Sequence, residues 1–192
     1  MKLRHLAVLV FLNDWSSAAM ATEEPAYQLV EKAGEFEIRD YGRITLAETL
    51  VKDDFDSAGN KAFSRLFGYI SGKNLPGQKL AMTAPVLQQS AGDGSYRVAF
   101  IAPAQYSLQT APAPADAGVK LRDLPPQRMA AIRYSGRWTE KNFREHEAQL
   151  LALVKARNLR TAGPVMYARY NAPFVPWPMR RNEVMVAVVA GD

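Results

Sequence analysis

A pair of basic side chains on a predicted helix is the first feature of this sequence that could bind a ligand. Lys61 and Arg65 lie four residues apart, so their cationic ends are neighbours on a helix. Small or polar residues accompany them, namely Asn60, Ser64 and Gly68. Two cations beside a surface of such small side chains could hold the carboxylates of a flat apolar ligand. The alternative is that the pair belongs to an ordinary solvated helix face.

His146 is the one histidine beyond the first 21 residues, and it could act as a metal ligand. At helical spacing it falls within the apolar stripe of Phe143, Leu150 and Val154, which predicts a half-buried side chain. Such a histidine could coordinate iron, or it could be a core residue with satisfied hydrogen bonds. The chain has no cysteine, which excludes thiolate catalysis, and the single histidine disfavours a metal centre made of protein ligands alone.

Residues suited to enzymatic chemistry form no convincing group. The sequence has no G-x-S-x-G turn and no glycine-rich phosphate loop. Glu37, Glu48 and Glu183 lie in or near predicted strands and could form a carboxylate pair, but strand glutamates usually face solvent. We therefore expect a non-enzymatic protein, with an unrecognised hydrolase as the least favoured alternative.

A loop dense in proline and aromatic residues precedes the last predicted strand and offers a second binding surface. Phe174 and Trp177 could form a rigid apolar wall, with Arg180 and Arg181 as anion contacts. An equally weighted alternative is that the prolines stiffen a long connection and that Arg181 pairs locally with Glu183.

The bulk composition predicts one ordinary domain with its own core. The chain has 192 residues, of which 48% are hydrophobic and 22% are charged. Its formal net charge of +5 comes from scattered residues, without the polybasic run or aromatic–basic stripe of nucleic-acid binders. We expect a small-molecule ligand and no nucleic-acid partner, and the sequence indicates no particular protein partner.

The first 21 residues have the layout of a secretory signal peptide. Lys2 and Arg4 precede a short apolar run at residues 6–12, and residues 19–21 have the small-x-small spacing of a cleavage site. The apolar run is too short to span a bilayer. We expect a periplasmic or secreted protein with no membrane span after cleavage. The alternatives are an N-terminal strand or an inserted helix that anchors the chain.

Hydrophobic patterning divides the rest of the chain into two similar halves. In the first half, residues 27–42 and 44–51 alternate and predict two antiparallel strands. Residues 53–72 have helical spacing, and residues 79–89 and 96–104 predict a hairpin. Asp53 or Asp54 is placed to cap the start of the helix, and Gly72 suits its end.

An alanine- and proline-rich connection, residues 109–118, leads to the second half. That half repeats the order of elements, with two strands within 119–136, a helix over 139–158 beginning at Thr139, and strands at 163–173 and 182–190. Each half is therefore β-β-α-β-β. The repeat predicts an α+β fold with a pseudo-two-fold axis, in which a mainly antiparallel sheet forms a distorted barrel with two packed helices. We expect residues 22–192 to form one domain, with half-repeats at about 27–104 and 119–190.

The stretch GQKLAMTAPVL, residues 77–87, combines strand-forming residues with a proline. Pro85 would remove a ladder hydrogen bond, which predicts an edge or a bulge at that point. We expect the first strand after the first helix here, with Met82 on one of its faces.

Three motifs give the chain a resemblance to a known family. FGYISGKN (67–74), KLAMTAPV (79–86) and RRNEV (180–184) together resemble the SOUL/haem-binding protein family. The resemblance covers about Tyr27 to Val189. It implies the double β-β-α-β-β architecture and non-covalent binding of haem or another tetrapyrrole on the first helix and its neighbouring loops.

The resemblance also implies roles for particular residues. Apolar side chains would contact the macrocycle, and Lys61 and Arg65 would pair with its propionates. Asn60 stands where some members have an arginine. The first helix contains no histidine, so the chain is most similar to members that bind haem without one, which implies modest affinity and promiscuity among tetrapyrroles. The implied site comprises Lys61, Arg65, Asn60, Ser64, Gly68, Met82, Phe174, Trp177 and Arg180, with His146 as the candidate iron ligand.

A different class of binding protein has a similar architecture. The double β-β-α-β-β order is also similar to the effector-binding modules of bacterial regulators, whose cleft between the halves takes amphipathic molecules. On that interpretation Glu48 or Glu183, Tyr167 and Trp177 would line a cleft for a cationic or neutral ligand.

Overall fold

The structure of the protein is a computed structural model that describes residues 22–191. The predicted signal peptide, residues 1–21, lies outside the described residues. Within residues 22–191, the helices are too short or too polar to cross a membrane.

Ten strands and two α-helices form the fold over the described range. In chain order they are β1 (Tyr27–Ala33), β2 (Phe36–Tyr41), β3 (Ile44–Lys52), α1 (Phe55–Ile70), β4 (Val86–Gly92), β5 (Ser95–Ile101), β6 (Val119–Leu124), β7 (Gln127–Tyr134), α2 (Glu140–Ala156), β8 (Leu159–Thr161), β9 (Met166–Arg169) and β10 (Asn182–Ala190). A short 3-10 helix, Trp177–Met179, precedes β10.

The strands form one curled antiparallel sheet in the order β1-β2-β7-β10-β9-β4-β5-β3-β6, with β8 paired to the far end of β10. The order is symmetric about the β9–β4 pair, with β10, β7 and β2 on one side and β5, β3 and β6 on the other. β2 comes from the first half of the chain but pairs with β7, and β6 comes from the second half but pairs with β3. Each half therefore completes the other's part of the sheet. The predicted α+β fold, with its internal repeat and two packed helices, is confirmed.

The prediction of two paired strands at 27–42 and 44–51 is wrong in detail. Residues 27–42 form a hairpin, β1 and β2, whose turn contains Gly34 at a φ of 62°, a conformation that favours glycine. β2 does not pair with β3, because the chain crosses between them to the other half of the sheet. A strand of three residues, β8, was not predicted, since LRT is too short to show alternation.

The strand predicted at 79–89 begins only at Val86. The preceding residues bond elsewhere: the amide of Leu80 donates to the carbonyl of Ile70 at 2.8 Å, and the amide of Ala84 donates to Glu23 at 2.8 Å. The Ala84–Pro85 peptide is cis. Met82 therefore lies in an irregular segment before β4, and Pro85 marks the point just before ladder pairing begins.

Both helices pack on the same face of the sheet, each through one buried stripe. α1 begins at the N-cap Asp54, whose carboxylate accepts the amide of Ser57 at 2.8 Å. Ala62, Leu66 and Tyr69 face β3, β5 and β6. α2 begins at Thr139, as predicted, and packs its buried residues against β7, β8 and β10. α1 is thus fixed on its inner side while its outer side stays available.

Two neighbouring side chains on α1 should differ sharply in their effect on stability. Leu66 is fully buried, so Leu66→Ala should lower the free energy of unfolding by about 2–5 kcal/mol. Phe67 is 50% exposed, so Phe67→Ala should cost at most about 1 kcal/mol. Urea unfolding of the two variants measures the difference, and equal losses would show that Phe67 belongs to the core.

Candidate functional site

A cleft of about 290 Å³ runs along the outer side of α1. It lies between the helix, the segment that leads into β4, and residues 169–173 at the end of β9. Its walls are mostly apolar, with Phe63, Phe67 and Met82 among them, and Asn60 and Arg169 supply polar groups. A volume near 300 Å³ is at the lower end of small-molecule sites, so a larger flat ligand would be only partly enclosed.

Two phenylalanines expose apolar surface in this cleft. Phe63 is 37% exposed and Phe67 is 50% exposed, and their rings stack with centroids 5.8 Å apart and planes 12° apart. Phe63 also rests edge-on against the buried Phe100, with centroids 5.3 Å apart. Met82 faces the same cleft and is 37% exposed. The stacked pair therefore presents a supported, flat apolar wall to solvent.

The turn after α1 holds the other wall of the cleft in place. Gly72 has a φ of 110°, which ends the helix as predicted. The buried side-chain amide of Asn74 donates to the carbonyl of Tyr69 at 3.0 Å and to that of Gln78 at 2.7 Å, and its oxygen accepts the amide of Gln78 at 2.9 Å. The Tyr69 hydroxyl donates to the carbonyl of Pro112 at 2.8 Å. The FGYISGKN motif thus ends the helix and directs the following chain towards Met82.

The other two sequence motifs also serve the scaffold. The hydroxyl of Thr83 donates to the carbonyl of Ile101 at 2.5 Å, which fixes the segment that contains Met82. In RRNEV, the side chain of Asn182 accepts the indole N–H of Trp138 at 2.7 Å. The carboxylate of Glu183 pairs with Arg39 inside the sheet. The motifs that carry the resemblance therefore position the cleft, and two of them also contribute Phe67 and Met82 to its apolar wall.

Arg169 lies at the inner side of the cleft and is tightly enclosed. Its Nη2 donates to Oε1 of Gln88 at 2.9 Å, and within residues 22–191 it has no ion-pair partner. A Cβ at position 59 would collide with its Nη1, so Gly59 leaves the space that the guanidinium occupies. Burial lowers the pKa of Arg169 to about 10, and it remains a cation at neutral pH.

The predicted basic pair lies on a different side of α1 from this cleft. Lys61 precedes Phe63 by two residues and Arg65 precedes Phe67 by two, a rotation of about 200° around a helix. Lys61 forms an ion pair with Asp53. Arg65 donates to Thr49 at 2.9 Å and forms a 3.3 Å ion pair with Asp116. The two residues are one helical turn apart, and each cation is engaged by its own local partner.

The smaller predicted residues divide between the cleft and the helix surface. Asn60 and Met82 line the cleft. Ser64 is exposed outside the set of residues that line it. Gly68 faces the stem of Lys73, which a Cβ at position 68 would approach to 3.1 Å.

The aromatic loop before β10 is exposed beyond the end of the cleft. Phe174 is 88% exposed and Trp177 is 51% exposed. Arg180 is turned inward, where it donates to the carbonyls of Val175 and Pro173 at 2.8 and 2.7 Å and lies 4.1 Å above the ring of Trp138. Arg180 therefore stabilises the loop.

The predicted iron ligand His146 is on α2, away from the α1 cleft. Its ring stacks on Tyr134 with centroids 3.7 Å apart, and its Nδ1 donates to the carbonyl of Asn142 at 2.7 Å. It lines a separate, polar cleft with Arg133 and Arg180. Within residues 22–191, no group of three or more His, Cys, Asp or Glu side chains could hold a metal ion.

An ion-pair cluster lies on the inner face of the curled sheet. Glu183 is fully buried, and its carboxylate accepts two hydrogen bonds from Arg39 at 2.6 and 3.1 Å. Arg181 donates to the same carboxylate at 2.9 Å, as the local-pairing interpretation predicted, and Tyr170 donates its hydroxyl at 3.0 Å. Burial alone would lower the pKa of Arg39, but the hydrogen bonds and negative charge of Glu183 raise it above its ordinary value. The adjoining apolar cleft, which Met129 helps to line, measures only about 30 Å³.

The polar residues of the effector-module alternative, Glu48, Glu183 and Tyr167, are each occupied by internal contacts, whereas Trp177 is exposed. Glu48 forms ion pairs with Arg97 and Arg122 at 3.2 and 2.8 Å. The hydroxyl of Tyr167 donates to Glu147 on α2 at 2.8 Å, on the opposite face of the sheet from Glu183. A cation entering between the halves would have to displace these partners.

Sequence reasoning missed the two main features of this cleft. Phe63 and Phe67 belong to the stretch of helical spacing at 53–72, where they lie at one edge of an apolar arc too wide to be buried entirely. Arg169 had no signal of its own in the sequence. Gly59 did carry one, because an isolated glycine inside a helix indicates close approach by another group.

Known proteins resemble this chain over most of its length. A family model described as SOUL heme-binding protein matches residues 22–187. Heme-binding protein 2 of Homo sapiens is 31% identical over 185 residues, covering 88% of this chain and 87% of the relative. Heme-binding protein 1 of Xenopus tropicalis is 28% identical over 157 residues, covering 78% of this chain and 81% of the relative.

Solved structures of distant sequence share the architecture. The EcmrR C-terminal domain superposes with a TM-score of 0.64 at 10% identity, covering 85% of this chain and 98% of that chain. A Listeria innocua protein described as a hydrolase superposes with a TM-score of 0.57 at 11% identity, covering 83% and 94%. At such low identity these likenesses show the fold alone.

The contact between Gly59 and Arg169 should reverse the usual effect of a glycine-to-alanine change. In a helix interior, alanine normally stabilises by about 0.5–1 kcal/mol relative to glycine. Gly59→Ala should instead destabilise by about 1–3 kcal/mol, because the new Cβ displaces the guanidinium. Thermal or urea unfolding measures the sign.

Gly68→Ala is the matched control, since its Cβ would meet only the flexible Lys73 stem. It should be neutral or stabilising. In the Arg169→Gln background, Gly59→Ala should lose most of its penalty. Stabilisation of the otherwise unchanged protein by Gly59→Ala, equal to that by Gly68→Ala, would show that the close approach does not exist.

Proposed function

Because this chain belongs to the SOUL heme-binding protein family, we propose that it binds haem or a related tetrapyrrole, non-covalently and without a chemical step, in the α1 cleft. The family and the relatives support haem as the ligand class. The location on α1 is our own proposal, and the observation that carries it is the exposed, stacked pair of Phe63 and Phe67.

An exposed pair of stacked rings is well suited to one face of a flat macrocycle. Aromatic rings of a ligand can stack on or against such a wall, and burial of apolar area drives the contact at roughly 25 cal/mol per Å². Met82 on the facing segment adds a polarizable thioether. The shallow cleft would leave one edge of a macrocycle in solvent, where charged substituents remain hydrated.

The cleft offers binding that does not depend on iron. The residues that line it include no histidine, and the side chain of His146 belongs to another cleft. We therefore propose that affinity comes from the macrocycle and its substituents. This agrees with the modest affinity and the breadth among tetrapyrroles that the sequence implied.

Propionate pairing by Lys61 and Arg65 remains a proposal with a definite structural requirement. Each cation would have to leave its carboxylate, Asp53 or Asp116, in order to reach a ligand. Exposed ion pairs contribute only about 0–1 kcal/mol, so the exchange costs little for a ligand that already lies on the helix.

Export is proposed separately, from the signal-like layout of residues 1–21. A protein recovered from the periplasm or medium whose N-terminus begins near Thr22 would support it. Retention of residues 1–21 with a membrane fraction would instead favour the anchored alternative.

Titration with hemin tests the proposed function. The protein should give a shifted Soret band that saturates at a 1:1 ratio, and iron-free protoporphyrin IX should bind within about threefold of hemin, because no protein iron ligand contributes. The double change Phe63→Ser with Phe67→Ser should weaken the binding of both ligands at least tenfold. Removal of the apolar wall should cost at least about 1.4 kcal/mol of binding free energy, which corresponds to a factor of ten.

Two variants act as controls on this titration. His146→Ala should leave the hemin titration unchanged, and Lys61→Ala with Arg65→Ala should weaken binding by no more than severalfold. Normal binding by the double serine variant would place the site elsewhere. Saturable binding of amphipathic cations without any hemin response would favour the effector-module alternative.

A further inference from the structure

We propose that Arg169 is the residue that selects ligands carrying a carboxylate, by binding that carboxylate at the inner side of the α1 cleft. The inference rests on the proposed function and names the group that gives the cleft its chemical specificity. The ligand class is a flat apolar molecule with a carboxylate-bearing side chain. Lys61 and Arg65, on another side of the helix, would then be secondary.

The hydrogen-bonding capacity of Arg169 is largely unused. A guanidinium has five N–H donors, and among the described residues Arg169 uses one group, Nη2, with the neutral side chain of Gln88 at 2.9 Å. Its Nε has no hydrogen-bond partner there. Arg39, which is buried, has by contrast a bidentate carboxylate partner in Glu183. Arg169 thus stands out as an enclosed cation that lacks an anion within residues 22–191.

The position of the guanidinium is fixed before any ligand arrives. Its Cζ lies 5.5–5.8 Å from the ring centroids of Phe55, Trp138 and Phe143. These ring faces stabilise the cation and hold it in one place. Gly59 admits it against the helix backbone. A cation that is already ordered loses little conformational entropy when it binds an anion.

The surroundings of Arg169 favour an external anion over an internal one. Asp56, in the first turn of α1, favours the charged form of the guanidinium through space but forms no ion pair with it. The other polar groups along the cleft include the neutral side chains of Asn60 and Asn171. A ligand carboxylate would therefore meet one unpaired cation beside an apolar wall, where charge-assisted hydrogen bonds are strong.

The test compares protoporphyrin IX with its dimethyl ester, which has the same macrocycle but no carboxylate. Fluorescence titration of the otherwise unchanged protein should give at least tenfold tighter binding of the diacid, as expected for one lost charge-assisted interaction. Arg169→Gln should weaken the diacid about tenfold and change the ester less than threefold. The diacid-to-ester ratio should then fall to about 1–3.

Two further variants sharpen this comparison. Arg65→Gln, which removes an exposed cation from α1, should keep at least half of the diacid-to-ester ratio of the unchanged protein. Arg169→Lys keeps the charge but loses the planar fork, so its ratio should be intermediate. If Arg169→Gln fails to fold, as judged by circular dichroism, the reduced ratio in Arg169→Lys carries the test.

The outcomes separate this inference from the proposed function. Saturable 1:1 binding of both probes, with the same ratio in Arg169→Gln as in the unchanged protein, overturns the role of Arg169 and leaves the cleft intact. An unreduced ratio in Arg169→Lys overturns it when the glutamine variant is unfolded. If neither porphyrin binds the unchanged protein saturably, the proposed function fails and the role of Arg169 fails with it.

Discussion

The buried pairing of Glu183 with Arg39 is the constraint on which the rest of the structure depends. It joins β10 to β2 across β7 on the inner face of the sheet. Arg181 and Tyr170 also donate hydrogen bonds to the Glu183 carboxylate. A buried carboxylate with this many donors is fully satisfied, whereas removal of either partner would leave an uncompensated charge. The pair thus occupies the part of the inner face that β2, β7 and β10 form, and the adjoining apolar cleft measures only about 30 Å³.

The outer side of α1 carries residues that are unfavourable for the stability of the fold. The helix leaves the stacked rings of Phe63 and Phe67 in solvent, and it carries a glycine in its interior where alanine would be the better helix former. Both features concern the same cleft, because Gly59 admits the guanidinium of Arg169. Local choices that cost stability tend to occur at functional sites. The apolar wall and the cation beside it would together suit the ligand that we propose, which is flat, apolar and acidic at one point.

Much of the fold followed from the sequence because its elements are long and strongly patterned. The internal repeat and the two helix N-caps were predictable from spacing alone, and the chain motifs led to the family. The strand exchange between the halves was not predictable, since it depends on which strands meet after the chain crosses at Gly42. Met82 and Asn60, which the sequence analysis placed among the site residues, line the same cleft. Arg169 could not be placed there, because its environment is assembled from α1, α2 and β4 residues distant in sequence.

Methionine methyl NMR with gallium protoporphyrin IX, a diamagnetic analogue of hemin, tests the location of the ligand most directly. Met82 lines the α1 cleft, whereas Met129, Met166 and Met185 line the small apolar space on the inner face of the sheet. Binding in the α1 cleft predicts a ring-current shift of the Met82 methyl signal that saturates at a 1:1 ratio, with the three inner signals unmoved. Saturable shifts of the inner methionines, with Met82 unchanged, would contradict the account and place the ligand between the halves.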